Sequence, residues 1–176
     1  MPYVTSGGIG IDPNSVTAGT TTDWEDSEHA VGEQATGDYG QKFCYVQAAE
    51  AISTTVSEPL TLAIDENFQA SKITKANASA GHFIGVAPEQ IIADNSFFWA
   101  RMAGSNFNMK VAVNAAADVN LWTTATAGIL DDTSGGSHVA VIGVKLVVAA
   151  ASSSSSAGSF VREVIMKDTL VPLLIA

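Results

Sequence analysis

The sequence predicts an all-β protein, a small β-barrel or sandwich with an extended N-terminal arm. The prediction rests on three observations: a period of two in its apolar residues, the regular recurrence of short strands, and a composition that changes near residue 40. Phe107, Met109, Val111 and Val113 interleave with Asn108, Lys110, Ala112 and Asn114, which is the pattern of a half-buried strand. Leu60, Leu62 and Ile64 alternate with Thr61, Ala63 and Asp65, and Ile142, Val144, Leu146 and Val148 repeat the pattern around Lys145. Phe97, Trp99 and Arg101 oppose Phe98, Ala100 and Met102, and FVREVIMK from Phe160 reads as another strand. Runs such as AAEAISTT and NAAADVN are rich in alanine but show no sustained 3.6-residue period. One short helix is expected over PEQIIADN from Pro88, because proline suits a first helical position.

The chain is 176 residues long, enough for one domain with a real core. Residues 1–40 read as an extended acidic arm and 41–176 as the barrel or sandwich domain. The arm holds Gly, Thr and Ser clusters (TSGG, TAGTTT, GEQATGDYG), and residues 1–50 carry eight acidic side chains against Lys42 alone. Within the domain, two stretches run through similar landmarks. FCYVQAAEAI from Phe43, LTLAIDE, HFIGVA and SFFWARM are echoed by FNMKVAVNAAA from Phe107, LWTTATAGILDD, HVAVIGVK and SFVREVIM. These half-repeats, 43–104 and 107–167, read either as a pseudo-duplicated β unit or as chance likeness among short apolar strands. The serine run Ser152–Ser156 lengthens the second copy.

Eight Lys plus Arg against eighteen Asp plus Glu give a net charge of −10, which opposes a broad phosphate-binding surface and hence a nucleic-acid partner. No stretch approaches the roughly 18 apolar residues of a membrane span, and MPYVTSGGIG shows no basic segment followed by an apolar run. Cys44 is the only cysteine, which excludes an intramolecular disulfide and reads as a buried thiol.

The motifs of common catalytic sites are missing. His29, His82 and His138 share no ligand spacing, and there is no GxSxG, GxxxxGK[ST] or GxGxxG leading into a helix. No catalytic residue, cofactor or metal is therefore assigned. Asp131 and Asp132 precede TSGGS and read as a solvated turn, although paired carboxylates or a cation site is the sharper alternative. Asp23, Glu25, Asp26 and Glu28 lack the order of a calcium loop and read either as a charged face or as a complement to a basic partner. Trp24 lies among them, with no local apolar home, and reads as an anchor for a partner's pocket. The C-terminal TLVPLLIA, with Leu173, Leu174 and Ile175, is either a last core strand or an intermolecular contact. Trp99 and Trp122 read as core.

The order of segments DYGQKFCYVQAAEAI, LAIDENFQASKITKANASAGHFIGVA, ADNSFFWARMAG and VAVNAAADVNLWTTATAGILDD resembles the decoration, or cement, proteins of tailed-phage heads, over roughly residues 40 to 150. The resemblance implies a β-rich virion protein, often trimeric, that is made in the host cytoplasm and sits on the outer capsid surface. Its partner would be the major capsid protein. The resemblance supplies no catalytic motif, and the long acidic arm and the serine run depart from it. Two other readings stay open: a phage tail or fibre subunit, and a hydrolase whose site is built from Asp131, Asp132 and His138.

Overall fold

The computed structural model describes residues 4–6, 9–19, 27–37, 40–53, 59–78, 82–150 and 160–166. Among them the protein is all-β, with fourteen strands and no helix. Before the barrel come β1 (Val4–Ser6), β2 (Ile9–Ile11), β3 (Val16–Thr17) and β4 (Gln34–Thr36). The barrel itself uses β5 (Lys42–Ala48), β6 (Thr61–Ile64), β7 (Gln69–Lys72), β8 (Phe83–Val86) and β9 (Phe97–Val111). Then follow β10 (Leu121–Thr123), β11 (Leu130–Asp131), β12 (Ala140–Val141), β13 (Val144–Leu146) and β14 (Phe160–Met166).

Five strands close a ring. β5 lies parallel to β7, β7 pairs with β6, β6 with β8, β8 with β9, and β9 returns antiparallel to β5. Closure leaves the ring without free edges. The pairing order then recurs downstream with β9 as the shared strand. β9 lies parallel to β11 and antiparallel to β14, β10 pairs with β11 and β12, and β13 pairs with β14. β12 and β13 together take the place of β8, interrupted at Ile142 and Gly143.

β9 is continuous for 15 residues, and its first half serves the ring while its second half serves the downstream strands. The half-repeats 43–104 and 107–167 are divided at residues 105–106, yet β9 runs continuously across that division. Gly104 has φ +126°, and a Cβ there would stand 2.7 Å from the Gln41 Cα. That conformation and that clearance are open to glycine alone.

The ring interior holds Cys44, Val46, Leu62, Ile64, Ala70, Phe98 and Ala100. Gly85 of β8 faces the same space, where an added Cβ would lie 2.9 Å from Ile64 Cδ1. Its counterpart in the second IGV, Gly143, serves a different need, with φ +89° at the break between β12 and β13. The opposite face of β6 and β8, Ala63, Ile84 and Val86, packs with Phe107, Met109, Val111, Leu121 and Leu130 of the downstream strands. β6 is consequently buried on both faces, although its sequence alternates. The outer face of β5 and β9 carries Phe43, Tyr45, Phe97 and Trp99, which pack with Ile11, Ala35 and Val31 from the N-terminal stretch.

That N-terminal stretch is joined to the ring by backbone pairing across the boundary drawn at residue 41. β3 pairs with β9 through Val16 and Phe98, and β4 pairs with β5 through Ala35 and Phe43. The helix expected from Pro88 does not form. The Ile92 N–H donates to the Ser53 carbonyl at 3.0 Å and the Ile92 carbonyl accepts from the Ile52 N–H, so the local backbone is committed to a bridge instead. Trp99 is core as expected, whereas Trp122 is half-buried.

Two measurements follow. Gly104→Ala is expected to cost about 2 kcal/mol or more in equilibrium urea unfolding, through left-handed strain and contact with Gln41. Gly136→Ala, with nothing within 4 Å of the added carbon, serves as the neutral control. Removal of residues 1–38 uncovers the Tyr45–Phe97–Trp99 face and is expected to lower the thermal midpoint by several degrees; an unchanged midpoint would show that β3, β4 and Ile11 add nothing to the fold.

Candidate functional site

The seam where the N-terminal cover, the ring and the downstream strands meet is open. A cleft of about 100 Å³ lies there, lined by Pro13 and Asn14 from the N-terminal turn, Pro59 before β6, Pro88 and Glu89 after β8, and Phe43, Trp99, Arg101 and Asn108. Arg101 dominates its chemistry. In an extended strand residues 101 and 107 would be about 20 Å apart. The bend in β9 instead brings the Phe107 ring centroid within 4.7 Å of the Arg101 guanidinium carbon, while Phe43 lies 5.4 Å away on the neighbouring strand. The quadrupoles of both rings favour the cation, by about 0.5–2 kcal/mol each.

Burial lowers the Arg101 pKa to about 10, and the negative charge of Glu89 partly opposes that fall. The Glu89 carboxylate accepts a hydrogen bond from Asn108 Nδ2 at 3.1 Å, and no ion pair among the described residues joins it to Arg101. Arg101 Nε and Trp99 Nε1 are buried with no hydrogen-bond partner among the described residues. Such donors carry an uncompensated desolvation cost that an acceptor would relieve.

No family model, curated protein or solved structure matches this chain. The reading of the cleft therefore rests on its own residues.

Of the sequence-selected contact residues, Glu28 is described. It is exposed and stands beside His29, which packs edge-on against Tyr45 and Trp99 at 5.1 and 5.0 Å and pairs with Glu33 at 3.3 Å. Asp23, Trp24, Glu25, Asp26, Leu173, Leu174 and Ile175 lie outside the described residues. His29 thus belongs to the cover over the aromatic face. His82 is held by its contact with the Asn77 carbonyl, and His138 Nδ1 accepts the Gly135 N–H at 3.1 Å.

Asp131 is a strand residue, paired in register with Trp122, and the Asp132 carboxylate accepts the Ala116 N–H at 3.0 Å. Asp132 therefore ties a loop, beyond the solvated turn its sequence predicts. Burial, followed by the neighbouring Asp132 carboxyl, raises the Asp131 pKa. No hydrogen bond or ion pair among the described residues joins His138 to either aspartate, and no group of three or more His, Cys, Asp and Glu among them could hold a metal ion.

Sequence reasoning passed over Arg101 as a site. The one signal was its place in the Phe97–Trp99–Arg101 alternation, which puts a cation on an aromatic face; the Phe107 ring and the three prolines come from segments that only the fold brings together.

Cys44 is buried in the ring, and desolvation pushes its thiol from 9.0 up to about 11. At pH 8 the native thiolate fraction is therefore about a hundredfold lower than in the unfolded chain. Iodoacetamide is expected to label the folded protein at least a hundredfold more slowly than the urea-unfolded protein. Equal rates would show that the ring opens readily.

Proposed function

We propose that this chain is a virion structural protein that binds the outer surface of a phage capsid, contacts the major capsid protein and stabilises the assembled head. The observation that carries the reading is a set of exposed apolar residues on segments that backbone hydrogen bonds bring side by side. Val119, Val147 and Val148 keep 39%, 41% and 54% of their surface exposed. They are neighbours because the Asp118 N–H donates to the Leu146 carbonyl and the Ala150 N–H to the Ala115 carbonyl. Contiguous exposed apolar residues on a closed β body favour contact with another protein surface. The segment order over roughly residues 40 to 150, which resembles that of head decoration proteins, supports a capsid as that surface.

The mechanism needs no chemical step. Many copies that each bury a modest area across neighbouring capsid subunits favour the assembled shell over its separated parts. A homotrimer would multiply each contact threefold in the same way. Trp24, flanked by Asp23, Glu25 and Asp26, would anchor the arm in a capsid pocket, with the charges forming the rim.

The tail or fibre reading differs in abundance. Quantified against the major capsid protein in purified particles, the chain is expected to approach capsid copy number, whereas a fibre subunit would be scarce. Trp24→Ala is expected to reduce capsid binding severalfold, since truncating a buried interface aromatic costs about 2 kcal/mol or more, with the unfolding midpoint of the free protein little changed. Unchanged binding would remove Trp24 from the contact.

A further inference from the structure

The Arg101 cleft has the features of an anion site. The guanidinium lies over two phenylalanine rings, and no ion pair or hydrogen bond from it is present among the described residues. The fork of a guanidinium matches the two oxygens of a carboxylate, and aromatic contact fixes its plane so that little freedom is lost when that pair forms. Burial of the unpaired charge adds to the gain, because an arriving anion would also restore the lowered pKa of Arg101.

The other lining groups narrow the ligand. The cleft is small, about 100 Å³, and suits a carboxylate head carried on a side-chain stem. Pro13, Pro59 and Pro88 supply apolar walls from three separate segments, which suit the stem of a side chain. Glu89 holds a negative charge beside the cleft and disfavours a doubly charged phosphate. Asn108 Nδ2, now bonded to Glu89, is a second donor at the same wall.

We propose that this cleft is a carboxylate-binding site, in which Arg101 receives an Asp or Glu side chain presented by a partner polypeptide. The inference concerns the cleft alone and holds whether or not that partner is a capsid subunit.

The full chain is titrated with a capped tripeptide bearing a central glutamate, with its glutamine counterpart, and with acetate, while the Arg101 Nε–H resonance and tryptophan fluorescence are followed. The glutamate peptide is expected to shift the Arg101 resonance saturably and to bind about tenfold or more tightly than either the glutamine peptide or acetate. Glu89→Gln removes the competing charge and is expected to tighten the glutamate peptide severalfold, whereas Arg101→Lys loses the fork and about tenfold of the affinity. If Arg101→Lys does not fold, Glu89→Gln decides. Equal binding of the glutamate and glutamine peptides, or no response of Arg101 to any of the three ligands, would overturn the site. Acetate binding as tightly as the glutamate peptide would overturn the polypeptide assignment and leave a site for small free carboxylates.

Discussion

The bend of β9 at Gly104 is the constraint from which the rest of the arrangement follows. One strand of 15 residues closes the five-stranded ring with its first half and organises the downstream strands with its second. A straight strand of that length would reach about 50 Å and carry its two halves away from each other. With φ +126° at Gly104, the second half turns back so that Phe107, Met109 and Val111 cover Ala63, Ile84 and Val86 on the outside of the ring. The buried area gained there offsets the conformational cost of the bend, and the glycine removes most of that cost.

The same bend creates the seam. Arg101 precedes it and Phe107 follows it, so folding the strand brings a cation and an aromatic ring of one strand face into contact, with the Phe43 ring also beside the cation. A charge in that place is expensive unless it is solvated or paired, and burial does lower its pKa. The N-terminal stretch completes the seam. Ile11, Val31 and Ala35 seal the aromatic face of β5 and β9, while Pro13 and Asn14 stop short of closing the cleft over Arg101.

Much of the barrel was legible in the sequence because its strands obey period two. Phe97, Trp99 and Arg101 fall on one face and Phe98, Ala100 and Met102 on the other, as their alternation requires, and the repeated landmarks from Phe43 and Phe107 fall in β5 and in the second half of β9, which pair with corresponding partners. What could not be read depends on distant partners. The half-repeats are divided at residues 105–106, and only the Gln41 backbone close to Gly104 shows why glycine stands at the bend of a continuous strand. Pro88 to Asn95 has a helical opening, but Ser53 and Ile52 claim the backbone of Ile92. The cleft is assembled from segments around residues 13, 43, 59, 88, 101 and 108, a set with no common spacing. Of the residues singled out for partner contact, only Glu28 can be placed in the fold.

Shared use of β9 implies that the ring and the downstream strands are one cooperative body, a property suited to a protein whose proposed work is to hold a shell together. Native-state hydrogen exchange of the β9 amides at increasing denaturant tests this directly. Amides of the first half that donate to β5 and amides of the second half that donate to β14 are predicted to converge on one opening free energy, equal to that of global unfolding. Two separate isotherms, with the Phe107–Val111 half opening well below the Phe97–Ala103 half, would contradict the account.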